Sequence, residues 1–236
     1  MELYIIRHAQ SFNNALTDSA DRVSDPPLTA LGERQAALLG TYLARPPADS
    51  GQPGLGATYV NRTGFHFTRL FTSAMRRSLQ TAASIGGALG RQPEVWVDIH
   101  ETGGVFLDHH EGRGLPGITR AEMEEQFPRF RLPPEVTEDG WWNREQETEE
   151  QWQERAARVA TKLRDRYAAT DARIGLVTHG GFAHALLHTL FQLTLPPTVI
   201  FPHLNTAISR LDFSDEGTIV VQYYNRVDHL PSELLT

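Results

Sequence analysis

Two histidines, each at the end of an apolar run, are the residues of this sequence best suited to chemistry. Residues 3–6 lead into Arg7-His8, and residues 174–178 lead into His179. Short apolar runs of this kind are typical of buried strands. An imidazole is a nucleophile and proton carrier near neutral pH, whereas an arginine is a permanent cation that matches anionic oxygens. Arg7-His8 could therefore hold an anion and attack it.

A second basic position follows the next apolar run. Arg76-Arg77 stands where a predicted strand gives way to a predicted helix. A cation in the first helical turn opposes the helix dipole, so it is favourable there only beside a bound anion. The alternative is a pair of solvated surface arginines.

The residues after the second histidine also suit an anion. Gly180 and Gly181 leave backbone N–H groups open at the start of a helix, where the dipole favours negative charge. The alternative is a tight strand-to-helix turn with an incidental histidine. Glu101 supplies a carboxylate just after another predicted strand, although a loop glutamate is most often a solvated surface residue.

Alternating strands and helices would position these groups. Thr29 is the expected N-cap of a helix that runs to about residue 43, Ser73 is the expected cap of the next helix, and Thr148 begins a capping box. This alternation indicates an α/β fold. The predicted strands cover residues 3–7, 67–72, 94–97 and 174–178, with a C-terminal hairpin over 207–213 and 218–224. Residues 45–64 read as a loop.

Residues 101–147 interrupt this pattern with glycine, proline and charge, and with one short helix over about 120–127. Long irregular segments are often active-site lids, so we expect a lid inserted into a single domain over residues 1–236. Trp141-Trp142 is expected to anchor the insertion, and the acidic stretch 145–154 to be a solvated helix start. Four residues of the lid are candidates for substrate contact, with plain surface charge as the alternative: His109, His110, Arg113 and Arg120.

Composition excludes several classes of function. The 236 residues are 40% hydrophobic and have no apolar run near the length of a membrane span, so a soluble chain with a full core is expected. The absence of cysteine excludes disulfides and thiolate chemistry. Together with the lack of a secretion signal, it predicts a cytoplasmic location. A net charge of −7 argues against broad nucleic-acid binding but not against a small anion in a local arginine cluster.

A metal site is the competing interpretation of the histidines. His179, His184 and His188 are spaced i, i+5 and i+9, which does not stack them on one helix face. The sequence has no recognisable ligand spacing, so we expect no metal.

If these groups converge at one sheet edge, they form a site for phosphoryl transfer. That reaction needs in-line positioning, cations for the equatorial oxygens, a nucleophile and a proton for the leaving oxygen. Histidine can form a phospho-enzyme without a metal.

On these residues the chain resembles the histidine phosphatase, or phosphoglycerate mutase-like, superfamily over nearly its whole length. Arg7-His8-Ala9 resembles the Arg-His-Gly signature, with alanine in the glycine position. Ser11 and Asn14 match phosphate-contacting positions. The other matches are Pro27-Leu28-Thr29 of the first helix, Arg77 as the second pocket arginine, Glu101 as the proton donor, and His179-Gly180.

The resemblance implies a three-layer α/β/α sandwich with a mostly parallel central sheet and a two-step reaction without cofactor. His8 would attack phosphorus while Glu101 protonates the leaving alkoxide, and water would then hydrolyse the phosphohistidine. His179 would act as a cation. The phosphoryl oxygens of a small phosphorylated substrate would be held by Arg7, Ser11, Asn14, Arg77, His179 and the Gly180 amide.

The insertion favours a phosphatase over a cofactor-dependent phosphoglycerate mutase. Mutases continue from the acid with Glu-Arg-His-Tyr-Gly and a lysine, whereas Glu101 here begins Glu-Thr-Gly-Gly-Val-Phe. No tyrosine or lysine occurs between Glu101 and Trp152. A non-catalytic phosphate-binding module is the third hypothesis, and the presence of both nucleophile and acid disfavours it. The substrate and the oligomeric state are not legible in the sequence.

Overall fold

A six-stranded sheet forms the centre of the protein, in the order β3-β2-β4-β1-β5-β6. The computed structural model describes residues 1–45, 64–107, 113–193, 199–214 and 216–236. The first four strands of that order are parallel, and β5 and β6 are antiparallel. The strands are β1 (Glu2–Arg7), β2 (Arg69–Thr72), β3 (Glu94–Val95), β4 (Arg173–Thr178), β5 (Ile208–Phe213) and β6 (Ile219–Arg226).

The helices begin at the expected caps in two of three cases. Thr29 and Thr148 each accept a hydrogen bond from the backbone N–H three residues on. Ser73 does not cap its helix; the N-cap is Met75, and the Ser73 hydroxyl accepts from the Met75 N–H instead. The helices are α1 (Phe12–Ala15), α2 (Ala30–Leu43), α3 (Arg76–Leu89), α4 (Arg120–Gln126), α5 (Glu149–Tyr167) and α6 (Gly180–Leu190).

Side chains alternate across the sheet and build a core on each face. From β1, Leu3 and Ile5 pack with α5 and α6, whereas Tyr4 and Ile6 pack with α2 and α3. Helices therefore cover both faces, which confirms the predicted three-layer α/β/α arrangement with a mostly parallel sheet.

The predicted strands hold, with shifted bounds. The second strand begins at Arg69, and the third ends at Val95, where a 3₁₀ turn over Val97–Ile99 replaces the expected continuation. The C-terminal hairpin is present as β5 and β6. The loop predicted over residues 45–64 lies almost wholly outside the described residues.

The insertion over residues 101–147 has an apolar cluster of its own. Trp141 and Trp142 are buried and pack with Met123 of α4 and with Met75 and Leu79 of the main fold. The two tryptophans therefore anchor the insertion, as expected. That the whole chain is one domain stays a prediction. Within the part of the chain described, no helix is both long and apolar enough to cross a membrane.

Candidate active site

Neighbouring parallel strands bring the two histidines together. Arg7 at the end of β1 pairs in register with Thr178 at the end of β4, so the next residues, His8 and His179, leave the sheet side by side. Their ring centroids are 5.0 Å apart. The carboxyl ends of parallel strands are where open α/β sheets place their chemistry.

The tautomer of His8 follows from its hydrogen bonds. Nδ1 lies 2.7 Å from the Ala9 carbonyl, which can only accept, so Nδ1 carries the proton. Nε2 is therefore unprotonated, and its lone pair accepts a hydrogen bond from Arg77 Nε over 3.1 Å. Burial, followed by the charges of Arg77 and Arg7, holds the pKa of His8 well below its usual range. The imidazole is therefore neutral and fit to act as a nucleophile.

Only one of the two adjacent arginines points into this pocket. Arg77 is buried beside His8, whereas the Arg76 guanidinium turns outward and donates to Gln126. Asp25 accepts from the Arg76 N–H, and its carboxylate lies 3.8 Å from Arg77 Nη1. Burial raises the pKa of Asp25 against the lowering effect of Arg77. Asp25 stands in a polar loop before two prolines, where no local pattern marks it as a site residue.

Arg7 keeps part of its guanidinium unused. Its Nη1 donates to the His203 carbonyl over 2.5 Å, while its Nε is buried without a hydrogen-bond partner among the described residues. A Cβ on Gly180 would stand 3.6 Å from that Nε, so the start of α6 lies against the arginine. The unused N–H is a donor for an anion at this point.

His179 differs from the expectation of a cation. Its Nε2 lies 2.8 Å from the Ser73 hydroxyl and 3.2 Å from the Ser78 hydroxyl, and its Nδ1 has no partner in the described part of the chain. Burial and the charge of Arg77 hold the pKa of His179 well below its usual range. The surroundings therefore favour the neutral ring, because burial and the permanent charges of Arg77 and Arg7 both disfavour a further cation here.

Asn14 and Ser11 line the same pocket. The Ser11 hydroxyl donates to Asn14 Oδ1 over 3.0 Å, and Asn205 donates to the His8 carbonyl over 2.9 Å. Because Asn14 Oδ1 also accepts from the Ser11 backbone N–H, the Asn14 amide nitrogen is left as the donor for a ligand. The pocket has a volume of about 120 Å³ and is lined chiefly by Arg7, His8, Ser11, Asn14, Arg22, Arg77, Glu101, Thr102 and Phe106.

Glu101 lies in this pocket, but it also occupies the helix terminus that we expected to bind an anion. Its Oε1 accepts from the Phe182 N–H over 3.0 Å and from the Thr102 N–H over 2.9 Å, and its Oε2 accepts from the Gly181 N–H over 3.4 Å. The anion at the start of α6 is therefore the protein's own carboxylate.

A buried ion pair supports the chain that leads into Glu101, and the sequence pattern did not predict this pair. Arg155 is fully buried, donates to both oxygens of Glu147, and donates to the carbonyls of Asp98 and His100. The prediction that Glu147 belongs to a solvated acidic stretch is wrong, because its side chain is only 7% exposed. The eight-residue separation of the pair carried no signal by itself.

The two candidate lid residues that the structure describes, Arg113 and Arg120, are not brought to the pocket. Arg120 donates to the carbonyls of Val136 and Pro133, so it braces the insertion. Arg113 is exposed and does not line the pocket. His109 and His110 lie outside the described residues. No group of three or more potential metal ligands occurs among the residues described.

A comparison of this sequence with models of protein families identifies its family. The model for branch 1 of the histidine phosphatase superfamily matches residues 3–51 and 55–226. The chain belongs to the histidine phosphatase superfamily. No significant match was found among curated proteins.

Solved structures share the fold at low sequence identity. A mycobacterial glucosyl-3-phosphoglycerate phosphatase in complex with VO3 is 19% identical, with a TM-score of 0.58 over 96% of this chain and 99% of that one. A phosphoserine phosphatase from Entamoeba histolytica is 18% identical, with a TM-score of 0.60 over 98% and 99%. A putative alpha-ribazole-5′-P phosphatase from Escherichia coli is 19% identical, with a TM-score of 0.60 over 96% and 97%.

Proposed function

We propose that this protein is a metal-independent phosphatase that hydrolyses small phosphomonoesters through a phosphohistidine on His8. The observation that carries the proposal is the His8 imidazole itself, with Nδ1 held by a carbonyl, Nε2 accepting from Arg77, and the charge of Arg7 near the ring. An Nε2 lone pair beside permanent cations suits attack on a phosphoryl group, whose oxygens the cations stabilise.

The first step transfers the phosphoryl group to the protein. A phosphate ester in the pocket draws Arg77 Nε onto a phosphoryl oxygen, which releases the Nε2 lone pair. Nε2 then forms the bond to phosphorus as the ester P–O bond breaks. The departing oxygen takes a proton from Glu101, which received that proton from the phosphate monoanion when the ester bound. Further oxygens of the phosphoryl group are held by Arg7, Asn14, His179 and the Gly180 amide. Ser11 acts by holding Asn14 Oδ1, which orients the Asn14 amide nitrogen as a donor.

The second step returns the protein to its starting state. Water attacks phosphorus, the N–P bond breaks with its electron pair returning to Nε2, and the water proton passes through Glu101 to the phosphate, which leaves as its monoanion. The negative charge of a bound phosphoryl group would raise the pKa of His179 above its value in the pocket without a ligand. His179 can thus become the predicted cation only when the anion is bound.

Two assays test this function. Turnover of p-nitrophenyl phosphate should persist in excess EDTA, because no step uses a metal. Phosphoglycerate should release inorganic phosphate rather than isomerise, because the insertion lacks the lysine and tyrosine of the mutase pattern. Isomerisation without phosphate release would instead identify a mutase, and the lack of both reactions over a broad panel of phosphorylated metabolites would favour a binding module.

The same panel would identify the substrate. Similar structures include phosphatases named for glucosyl-3-phosphoglycerate and phosphoserine, and the corresponding esters belong in the panel. The cytoplasmic location and the lack of nucleic-acid and membrane partners stay predictions from the sequence.

A further inference from the structure

The carboxylate of Glu101 is held asymmetrically, and the asymmetry suits a proton donor. Oε1 accepts two short hydrogen bonds, from the N–H groups of Thr102 and Phe182, whereas Oε2 accepts only a long one from Gly181. In a protonated carboxyl group the carbonyl oxygen accepts hydrogen bonds and the hydroxyl oxygen donates. Oε1 is therefore the anchored oxygen and Oε2 the one free to carry the transferable proton.

Gly181 leaves the space in which this carboxylate rests. A Cβ at residue 181 would lie 2.6 Å from Glu101 Oε1 and 2.6 Å from the Thr102 hydroxyl. The preceding Gly180 shows no such conflict, because the nearest atom to its Cβ would be 3.6 Å away. A side chain at residue 181 is thus incompatible with the observed position of Glu101.

We infer that Gly181 is the positioning residue for the proton donor, an inference that rests on the proposed role of Glu101 in catalysis. Its missing side chain lets the Phe182 N–H of α6 hold Oε1, while Oε2 keeps only the long hydrogen bond from the Gly181 N–H and stays available to a leaving group in the pocket that Glu101 lines. Phe182, which provides the shorter of the two α6 hydrogen bonds, is itself fixed, since its ring lies 4.6 Å from the Arg155 guanidinium carbon. The backbone N–H of α6 that holds Glu101 Oε1 is therefore fixed in place by packing.

Gly181→Ala should displace the acid without unfolding the protein. Gly181 is not among the residues with positive φ, so alanine suits its backbone, and both atoms in conflict are the ends of side chains. The carboxylate of Glu101 and the hydroxyl of Thr102 must both move. Gly87→Ala is the matched control, because Gly87 is also in a helix and a Cβ there meets nothing within 4 Å.

The experiment compares phosphate esters whose leaving alcohols differ in acidity. Departure of p-nitrophenolate needs no proton, whereas departure of an alkoxide does. Glu101→Gln should therefore lower the rate of P–O cleavage of an alkyl phosphate by roughly 100-fold or more, which is within the usual range for general acid catalysis. The rate of the first release of p-nitrophenolate from p-nitrophenyl phosphate, measured before the steady state, should fall much less. Gly181→Ala should cause the same selective loss, of about 10-fold or more, and Gly87→Ala should not.

The double variant distinguishes positioning from an independent defect. If Gly181 acts through Glu101, Gly181→Ala should add little to the loss already caused by Glu101→Gln. Additive losses, or an unchanged alkyl-to-aryl ratio in Gly181→Ala alone, would overturn the positioning role. If Glu101→Gln shows no dependence on the leaving group, the acid role of Glu101 fails first.

A measurement that does not depend on catalysis gives an independent check. Glu101→Gln replaces the carboxylate to which the N–H groups of Gly181 and Phe182 donate with a neutral amide, so both amide resonances should shift together in that variant, whereas Gly87→Ala should leave them in place. Unchanged amide resonances in Glu101→Gln would contradict the inference whether or not Gly181→Ala folds.

Discussion

The pocket has two parts that are held in different ways. One is its floor, which consists of His8 after β1, His179 after β4 and Arg77 at the start of α3, and the other is the insertion over residues 101–147. His8 and His179 directly follow adjacent strands whose register is fixed by the sheet. The insertion contributes Thr102 and Phe106 from irregular chain that depends on distant contacts, above all the Arg155 ion pair. The floor can therefore be read from local patterns, whereas the shape of the insertion depends on contacts that no local pattern reveals.

The largest effect should come from the centre of the floor. His8→Ala removes the proposed nucleophile, so phosphatase turnover should fall by about 10⁴-fold or more, as for other covalent catalysts. His184→Ala, which changes a histidine outside the pocket, is the control and should retain turnover. Steady-state assays with p-nitrophenyl phosphate measure both, and substantial activity in His8→Ala would remove the proposed nucleophile from the mechanism.

The adjacent arginines offer a sharper test of the floor. Arg77→Met should lower kcat/KM by roughly 10²–10³-fold, because one buried cation that faces the developing charge is lost. Arg76→Met should have little effect, since its guanidinium lies outside the pocket beside Gln126. Equal losses in the two variants would show that the contrast between them is wrong.

Changes to the ion pair that supports the insertion should lower the free energy of unfolding. Arg155→Met leaves the Glu147 carboxylate buried without its partner, and breaking such a pair costs about 3–5 kcal/mol of unfolding free energy. Arg158→Met is the control, because the Arg158 guanidinium is largely exposed and its ion pair with Glu154 is worth little. Urea unfolding measures both, and equal small changes would mean that the buried pair does not hold the insertion.

The same ion pair should make stability depend on acid pH. Burial alone would raise the pKa of Glu147, but the hydrogen bonds from Arg155 outweigh it and lower the pKa from 4.5 to about 2. A depressed pKa contributes stability above the unfolded value, and that contribution is lost as pH falls from 4.5 towards 2. Thermal melts over this range should show a smaller dependence in the Glu147→Gln/Arg155→Met double variant, and an unchanged dependence would contradict the assignment.

The smallest expected effect concerns the pH dependence of the floor. Because the pKa of His8 is well below 6.5, the nucleophile stays neutral as pH falls from 6.5 to 5.5. The rate of phosphoenzyme formation should then change by less than about 3-fold in that range. Rapid-quench measurements with p-nitrophenyl phosphate test this, and a loss of one decade per pH unit beginning near 6.5 would show an ordinary histidine.

Sequence reasoning reached most of the fold because caps and alternation are local. Thr29 and Thr148 cap their helices, and the residues at the ends of β1 and β4 meet as parallel strands require. It did not reach Asp25, which acts through distant contacts with the start of α3. It also assigned the start of α6 to a bound anion, because nothing in the local pattern shows that Glu101 reaches it.

The central claim, a phosphoryl group carried on His8, is tested most directly by trapping the intermediate. The protein should be mixed with ³²P-labelled substrate, quenched in alkali to preserve phosphohistidine, and mapped by mass spectrometry. The account predicts one phosphohistidine, on His8, that forms and decays at rates consistent with turnover and is absent from His8→Ala. Turnover by unmodified protein without a labelled intermediate, or a label on another residue, would contradict it.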